Sequence, residues 1–169
     1  MGKIVRIHEK ILDHLLRLRK TDSEIYFVPR RINNDERLDK GYWFLGNDHY
    51  LHLSFWDGRD WKEKIHNIGF VVRDDKTSYI ELSAQGSPYN ARFLEQMANK
   101  LGGFKKVGNK DKWFKPYSGA NYIENLDNFI LNTKPIIDRL IAIEKPEGIK
   151  LLDKTFFNKY TKKVIEPSQ

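Results

Sequence analysis

Residues 41–58 read Gly-Tyr-Trp-Phe-Leu-Gly-Asn-Asp-His-Tyr-Leu-His-Leu-Ser-Phe-Trp-Asp-Gly, two runs of aromatic and apolar residues around a Gly-Asn-Asp cluster. Strand-forming residues on both sides of turn residues predict a β-hairpin. In the second run, side chains must alternate in direction, as on any strand. The set expected to face the core is Leu51, Leu53 and Phe55. The opposite set is Tyr50, His52, Ser54 and Trp56. The hairpin therefore predicts a sheet with one apolar face and one face that mixes rings with hydrogen-bonding groups.

The mixed face has two interpretations. In the first, Tyr50 and Trp56 cover a second apolar layer while their polar tips reach water. In the second, rings stack on a planar ligand, His52 reads the edge of that ligand, and Trp56 is accessible at the strand end. A three-residue turn would place Tyr42 and Phe44 beside Tyr50 and His52, whereas a two-residue turn would place Trp43 there. The candidate residues of a base pocket are therefore Tyr42, Trp43, Tyr50, His52 and Trp56.

Composition limits the class of protein. The chain has 169 residues, which is most simply one domain with a core of its own. It has no cysteine, so disulfides and thiolate metal sites are excluded. The sequence shows neither a membrane-length apolar run nor a signal peptide, which predicts a soluble, cytoplasmic protein. Thirty Lys and Arg against 23 Asp and Glu give a net charge of +7. A basic surface favours polyanions, and nucleic acid is the commonest of these.

Periodicity predicts the remaining elements. Ile4, Ile7, Ile11, Leu15 and Leu18 form the buried stripe of an amphipathic helix over residues 3–20. Strands are predicted at 25–28, 68–73 and 78–84, and helices follow from residue 87 to 101 and from 153 to 160. Around a proline at 135, either one kinked helix or two helices meeting near Thr133 fit the pattern. The predicted fold is one α+β domain over residues 1–165, an antiparallel sheet of hairpins flanked by an N-terminal helix and a C-terminal helical segment. Residues 166–169 look like the start of a linker.

Basic residues suggest where a polyanion would bind. Residues 104–115 contain five lysines and one acid around Gly108-Asn109, which predicts a basic hairpin with exposed turn lysines. Two arginines lie in the loop before the first hairpin, and further lysines follow it. The candidate DNA-binding residues are Arg30, Arg31, Lys62, Lys64, Lys105, Lys106, Lys110 and Lys112.

Motifs for catalysis are weak. The sequence has no glycine-rich phosphate loop and no Gly-x-Ser-x-Gly elbow. Asp74 or Asp75, followed by Glu81, resembles the acidic pair of the restriction-endonuclease fold, but Ser83 stands where that fold has a lysine. The favoured interpretation is a charged turn and an exposed glutamate. The sequence therefore predicts no enzyme, no metal site and no cofactor.

Three stretches of the chain carry a family resemblance. Residues 41–46 (Gly-Tyr-Trp-Phe-Leu-Gly), 50–55 (Tyr-Leu-His-Leu-Ser-Phe) and 68–72 (Ile-Gly-Phe-Val-Val) resemble the N-terminal domains of McrB-like restriction proteins. The C-terminal helices before residues 163–167 (Lys-Val-Ile-Glu-Pro) fit the same pattern. The resemblance implies a module that recognises a modified, methylated cytosine in double-stranded DNA and flips that base into an aromatic pocket. It also implies a tether to a GTP-hydrolysing AAA+ motor and a separate nuclease subunit.

Two other functions stay open. The chain could be a protein-interaction or scaffold module whose rings are core and whose lysines are solvated, or a degenerate nuclease. Base flipping requires an aromatic, partly polar pocket beside a basic surface that holds the DNA backbone. Whether the basic residues gather on the aromatic side therefore separates DNA recognition from the scaffold function.

Overall fold

The computed structural model describes residues 2–31, 33–58, 65–84 and 88–165. The helices are α1 (Lys3–Leu18), α2 (Pro88–Leu101), α3 (Tyr122–Asn128), α4 (Lys134–Glu144) and α5 (Lys154–Ile165), with a 3₁₀ turn at Asn34–Glu36 and a π-helical turn at Phe129–Thr133. The strands are β1 (Leu45–Gly46), β2 (Tyr50–Leu53), β3 (Trp56–Asp57), β4 (Ile68–Arg73), β5 (Ser78–Ser83), β6 (Lys105–Lys106), β7 (Lys112–Pro116) and β8 (Lys150–Leu151).

Six strands form one antiparallel sheet in the order β1-β2-β4-β5-β7-β6. The two remaining strands, β3 and β8, form a separate antiparallel pair. Helices lie before and after the sheet in the chain, so the predicted α+β class, with its antiparallel sheet, its N-terminal helix and its C-terminal helices, is confirmed.

The first hairpin has the register of a two-residue turn. Leu45 pairs with His52 and Gly46 with Leu51, and the amide of Asn47 donates to the carbonyl of Tyr50 at 3.0 Å. Gly46 has φ of +131°, and a Cβ there would lie 2.1 Å from the Tyr50 carbonyl oxygen. Only glycine fits this turn, because any side chain would collide with the opposite strand. Of the two predicted registers, the structure adopts the second.

The core lies between one sheet face and the helices. The predicted inward residues Leu51, Leu53 and Phe55 are all buried, and so are Ile80 and Leu82 of β5. They belong to one apolar cluster with the stripe of α1, part of α2 and the junction of α3 with α4. The members from those helices are Ile4, Ile7, Ile11, Leu15, Phe93, Leu94, Met97, Leu126 and Phe129. Periodicity in the sequence was therefore a reliable guide to the core.

One predicted element differs from the structure, and one alternative that the sequence left open is resolved by it. Residues 25–28 form no strand beyond a single bridge between Val28 and Ser54, because the guanidinium of Arg19 binds the Ile25 carbonyl and Pro29 lacks an N–H. Of the two alternatives around Pro135, the structure adopts one continuous helical segment, with a π-helical turn at Phe129–Thr133 before the proline. Proline removes one helical hydrogen bond and crowds the carbonyl four residues back, and the wider π turn relieves that crowding.

Candidate nucleic-acid interface

The hairpin of β6 and β7 forms one edge of the large sheet. Lys105 pairs with Phe114 and Lys106 with Trp113. The turn between the strands uses Gly108, whose φ is +54°, and a hydrogen bond of 3.0 Å from the Lys110 amide to the Val107 carbonyl. A glycine and an asparagine in sequence favour such a turn because both tolerate left-handed backbone. The predicted basic hairpin is therefore present.

Backbone hydrogen bonds place this turn beside the ends of the central strands. The Ala84 amide donates to the Asp111 carbonyl, and the Ser83 amide donates to the Asn67 carbonyl, both at 2.8 Å. The Asn67 amide donates in turn to the Gly58 carbonyl at 3.2 Å. One end of the sheet thus gathers the basic turn, the start of β4 and the end of β5.

Three lysines of the hairpin are exposed. They are Lys105, Lys106 and Lys110, and none of them has an acidic partner among the described residues. Lys106 lies over the ring of Trp113, 5.7 Å from its centroid. Lys112 differs from these three, because its Nζ is 3.1 Å from Oε1 of the buried Glu81. The other two predicted lysines, Lys62 and Lys64, lie outside the described residues.

Arg30 does not belong to the exposed basic surface, contrary to the sequence-based expectation. Its side chain is 6% exposed, its Nε donates to the Tyr42 carbonyl, and a terminal nitrogen donates to the Gly46 carbonyl, each at 3.1 Å. Burial, reinforced by Arg37, lowers the pKa of Arg30. An arginine stays protonated even so, and here its charge is used to hold the first hairpin.

Arg31 is also engaged within the fold. One terminal nitrogen lies 3.0 Å from Oδ1 of Asp57. The guanidinium carbon is 4.8 Å from the ring centroids of both Phe156 and Tyr160. Arg31 therefore joins β3 to α5 by an ion pair and cation–π contacts, and it does not belong with the exposed lysines of the β6–β7 hairpin.

Trp56 is buried, and the expectation that it is accessible is wrong. It is 1% exposed because β3 leaves the large sheet, pairs with β8 and packs beneath the α3–α4 segment. The indole Nε1 donates to Oδ1 of Asp138 at 2.8 Å, and the ring meets Phe129 edge-on at 6.0 Å. Lys134 forms an ion pair with the other Asp138 oxygen at 2.9 Å. Both side chains line a cleft of about 360 Å³, and Tyr26 lines it as well.

His52 is enclosed on the mixed face of the sheet. It is 1% exposed and lies over Gly69, where a Cβ would approach its Cε1 to 2.1 Å. Its Nε2 is 3.6 Å from Oε2 of Glu81, so Glu81 joins His52 to Lys112. The ring of His66 stacks 6.4 Å away. The centre of this face of the sheet is therefore a buried polar cluster.

The five candidate pocket residues do not meet in one pocket. Tyr42 donates its hydroxyl to Asp48 at 2.7 Å and packs against His8, which is buried on α1. That hydrogen bond, followed by partial burial, raises the pKa of Tyr42. Trp43 is half-buried against the apolar core, and its carbonyl accepts from the Arg30 amide. Of the five candidates, Tyr50 is the half-buried ring that a strand of the mixed face carries.

Sequence reasoning missed two further rings on the mixed face. Tyr79 of β5 and Phe114 of β7 are half-buried, and their centroids are 6.4 Å apart at an interplanar angle of 76°. Burial first, and then the charge of Glu81, raises the pKa of Tyr79. The alternation of β5 placed Tyr79 opposite the core, but the pairing of β5 with β7, which no local pattern specifies, brings Phe114 beside it.

The acids of the nuclease-like pattern have separate partners. Oδ2 of Asp74 lies 3.2 Å from Nδ1 of His49, and Oδ1 of Asp75 accepts from the Thr77 amide at 2.9 Å. The hydrogen bonds from Thr77 lower the pKa of Asp75. Glu81 is buried, contrary to the expectation of an exposed glutamate, and it binds Lys112 on the neighbouring strand. Within the described ranges, no group of three or more His, Asp or Glu side chains could hold a metal ion.

Comparisons with protein-family models, with curated proteins and with solved structures found no match for the chain. Across the described residues, no helix has both the length and the apolar character that crossing a membrane requires.

Proposed function

We propose that this domain is a DNA-binding recognition module of a modification-dependent restriction system. The observation that carries the proposal is the β6–β7 hairpin, where Lys105, Lys106 and Lys110 are exposed at a sheet edge without acidic partners among the described residues. Lysines in this arrangement suit the phosphate backbone of double-stranded DNA. They would fix the position of the protein on the duplex without reading its sequence.

The electrostatics of the chain support this role. The net charge of +7 attracts a polyanion over distances comparable to the Debye length, about 8 Å at physiological salt. Each lysine that neutralises a phosphate releases a condensed counterion, which favours binding at low salt. Asp111 is exposed in the turn beside Lys110 and offsets part of this charge, whereas Glu81 on the neighbouring strand is already paired with Lys112 and opposes the approach of DNA little.

Recognition of a methylated cytosine is the part of the proposal that the sequence resemblance supports. In such a system the module binds without cutting, in the cytoplasm, while an AAA+ GTPase domain and a nuclease subunit act elsewhere in the assembly. Flipping of the modified base would require a ring that the base can reach. Among the five candidates, Trp56 and His52 are enclosed, so Tyr50 is the ring on the mixed face best placed for this.

Fluorescence anisotropy with labelled duplexes tests the proposal. Replacing Lys105, Lys106 and Lys110 with alanine should weaken binding to methylated and plain duplexes alike, because phosphate contacts do not depend on the base. Lys112 is left intact, since its removal would leave Glu81 without that partner. The matched control replaces Lys3, Arg6 and Lys10, which are exposed on α1 and carry the same total charge.

The outcomes separate local contact from net charge. If the hairpin variant loses binding and the α1 variant keeps most of it, the hairpin is the contact surface. Equal losses in both variants would mean that only net charge matters, and no duplex binding by the unmodified protein at low salt would refute the DNA role. A preference for methylated over plain duplex, retained in both variants, is the expected sign of base recognition.

A second candidate function is protein interaction, and one observation favours it. Leu131 is 75% exposed and Ile143 is 66% exposed on the helical segment after β7. Large apolar side chains at that exposure are common at interaction surfaces, although single ones are also ordinary on monomers. This function would be favoured if Ile143→Ser abolished binding to a protein partner, and if duplex affinity were unchanged by the substitution or absent from the start.

A further inference from the structure

The mixed face of the large sheet carries a row of partly accessible rings between two cations, and we infer that it is a stacking platform for the unpaired bases of a single DNA strand. The inference rests on the nucleic-acid role proposed above, and it names the form of nucleic acid that this face would take. It concerns the rings of that face, and of the three hairpin lysines it uses Lys105.

Strand register shows which side chains share the face. Tyr50 of β2 pairs with Arg73 of β4, and Tyr79 of β5 pairs with Val71, two residues before Arg73. Phe114 of β7 pairs with Glu81, two residues after Tyr79. Paired residues and those two apart along a strand lie on the same side of a sheet. The three rings Tyr50, Tyr79 and Phe114 therefore lie on one face across four neighbouring strands.

The rings are neither fully covered nor isolated. All three are half-buried, in contrast to Val71 between them, which is 0% exposed. Tyr79 and Phe114 meet edge-on at 6.4 Å, and each residue keeps part of its surface exposed to solvent. Aromatic surfaces fixed on strands bind successive bases by their flat faces, and this contact accepts any base because every base has a π-face.

The charges on the face complement phosphates. Arg73 is exposed beside Tyr50, and Lys105 is exposed opposite Phe114 in the register of β6 and β7. The acid of the face, Glu81, has an 8% exposed side chain and lies 3.1 Å from the ammonium of Lys112. Asp74 and Asp75 belong to the turn beyond Arg73, outside the row of rings. A strand laid across the rings would thus have a cation near each end.

A single strand fits this face better than an intact duplex does. In a duplex the faces of the bases are stacked on one another, so rings on a sheet reach only the backbone and the groove edges. In an unpaired strand the bases are available for stacking, and their phosphates can follow the cations at the border of the platform. The platform would therefore hold a strand that is already open.

Anisotropy with two labelled strands of equal length tests this directly. One is a single-stranded oligonucleotide of mixed sequence, and the other has the same phosphates but abasic sites throughout. If the rings stack on bases, the normal strand should bind at least about fivefold more tightly than the abasic strand, the lower end of the range for one stacked base. Equal binding of the two strands overturns the inference without any variant.

Variants locate the effect on the face. Phe114→Leu and Tyr79→Leu keep apolar bulk but remove the ring, and each should reduce the preference for the normal strand over the abasic strand. Lys110→Ala, at the turn of the hairpin, should weaken both strands alike and leave the preference unchanged. A preference that survives the loss of both rings would overturn the assignment to this face.

The same titrations distinguish this inference from the proposed function. Duplex binding that depends on the hairpin lysines, together with equal binding of normal and abasic strands, would retain the DNA module and reject the platform. A base-dependent single-strand affinity without duplex binding would retain the platform and reject the duplex as target. Absence of binding to every nucleic acid would reject both.

Discussion

His8 makes the stability of this domain depend on pH in a predictable direction. The imidazole is 0% exposed in the core, where its Nδ1 accepts a hydrogen bond from the Phe44 amide at 3.2 Å. Burial is the main cause that lowers the pKa of His8 from 6.5 to about 3, and the charges of Arg30 and Arg37 lower it further. The folded protein therefore keeps His8 neutral at a pH where the unfolded chain protonates it.

The sign and size of the effect follow from linkage. Above pH 6.5 the ring is neutral in both states, so the contribution of His8 to stability is complete. As the pH falls below 6.5, the unfolded state binds a proton that the folded state does not bind. The free energy of unfolding therefore decreases by about 1.4 kcal/mol per pH unit. Between pH 6.5 and about pH 5 the loss is about 2 kcal/mol.

Urea denaturation at about pH 7 and about pH 5 measures this loss, with His8→Leu as the comparison. The variant should be less stable at neutral pH, because the Phe44 amide loses its acceptor, but its stability should decrease less on acidification. The difference between the two decreases should be about 2 kcal/mol, whatever the other histidines contribute. If both proteins lose the same stability, His8 titrates normally and the account of its burial is wrong.

Three more substitutions test the packing by thermal or urea denaturation. Trp56→Phe should lower stability by about 1.5–3 kcal/mol, because the hydrogen bond to the Asp138 carboxylate is lost, and should leave duplex affinity unchanged; a change in duplex affinity at constant stability would show instead that the indole contacts DNA. Leu53→Ala should cost about 2–5 kcal/mol through a cavity at a fully buried position, and a loss well below that range would mean that the core closes around the gap. Gly69→Ala should cost about 1–3 kcal/mol, since the new methyl group would force His52 to move; an unchanged melting temperature would show that His52 has room to do so.

The sequence predicted the elements whose cause is local. The stripe of α1 from Ile4 to Leu15 and the alternation of Leu51 and Leu53 specify which sides are buried, because helix and strand periods project directly onto burial. The turn at Gly108 likewise follows from residues adjacent in sequence. These features required no knowledge of which elements meet in space.

The sequence did not predict contacts between distant segments. Trp56 lies 82 residues before Asp138, and its burial depends on the pairing of β3 with β8, a two-residue strand without a pattern of its own. Arg30 looked like a loop cation, yet the carbonyls of the first hairpin surround its guanidinium. Phe114 joins Tyr79 only through the register of β5 with β7. Each of these depends on tertiary pairing, which overrides local preference.

Salt dependence of duplex binding tests the central proposal most directly. The logarithm of the association constant, measured from about 50 mM to about 200 mM salt, should fall linearly with the logarithm of salt concentration, with a slope of about −0.9 for each phosphate neutralised. Replacing Lys105, Lys106 and Lys110 with alanine should reduce the size of that slope by up to about 2.7, and the Lys3, Arg6 and Lys10 control should change it little. A slope that is the same for the hairpin variant and the unmodified protein would contradict the assignment of this hairpin as the DNA-contacting surface.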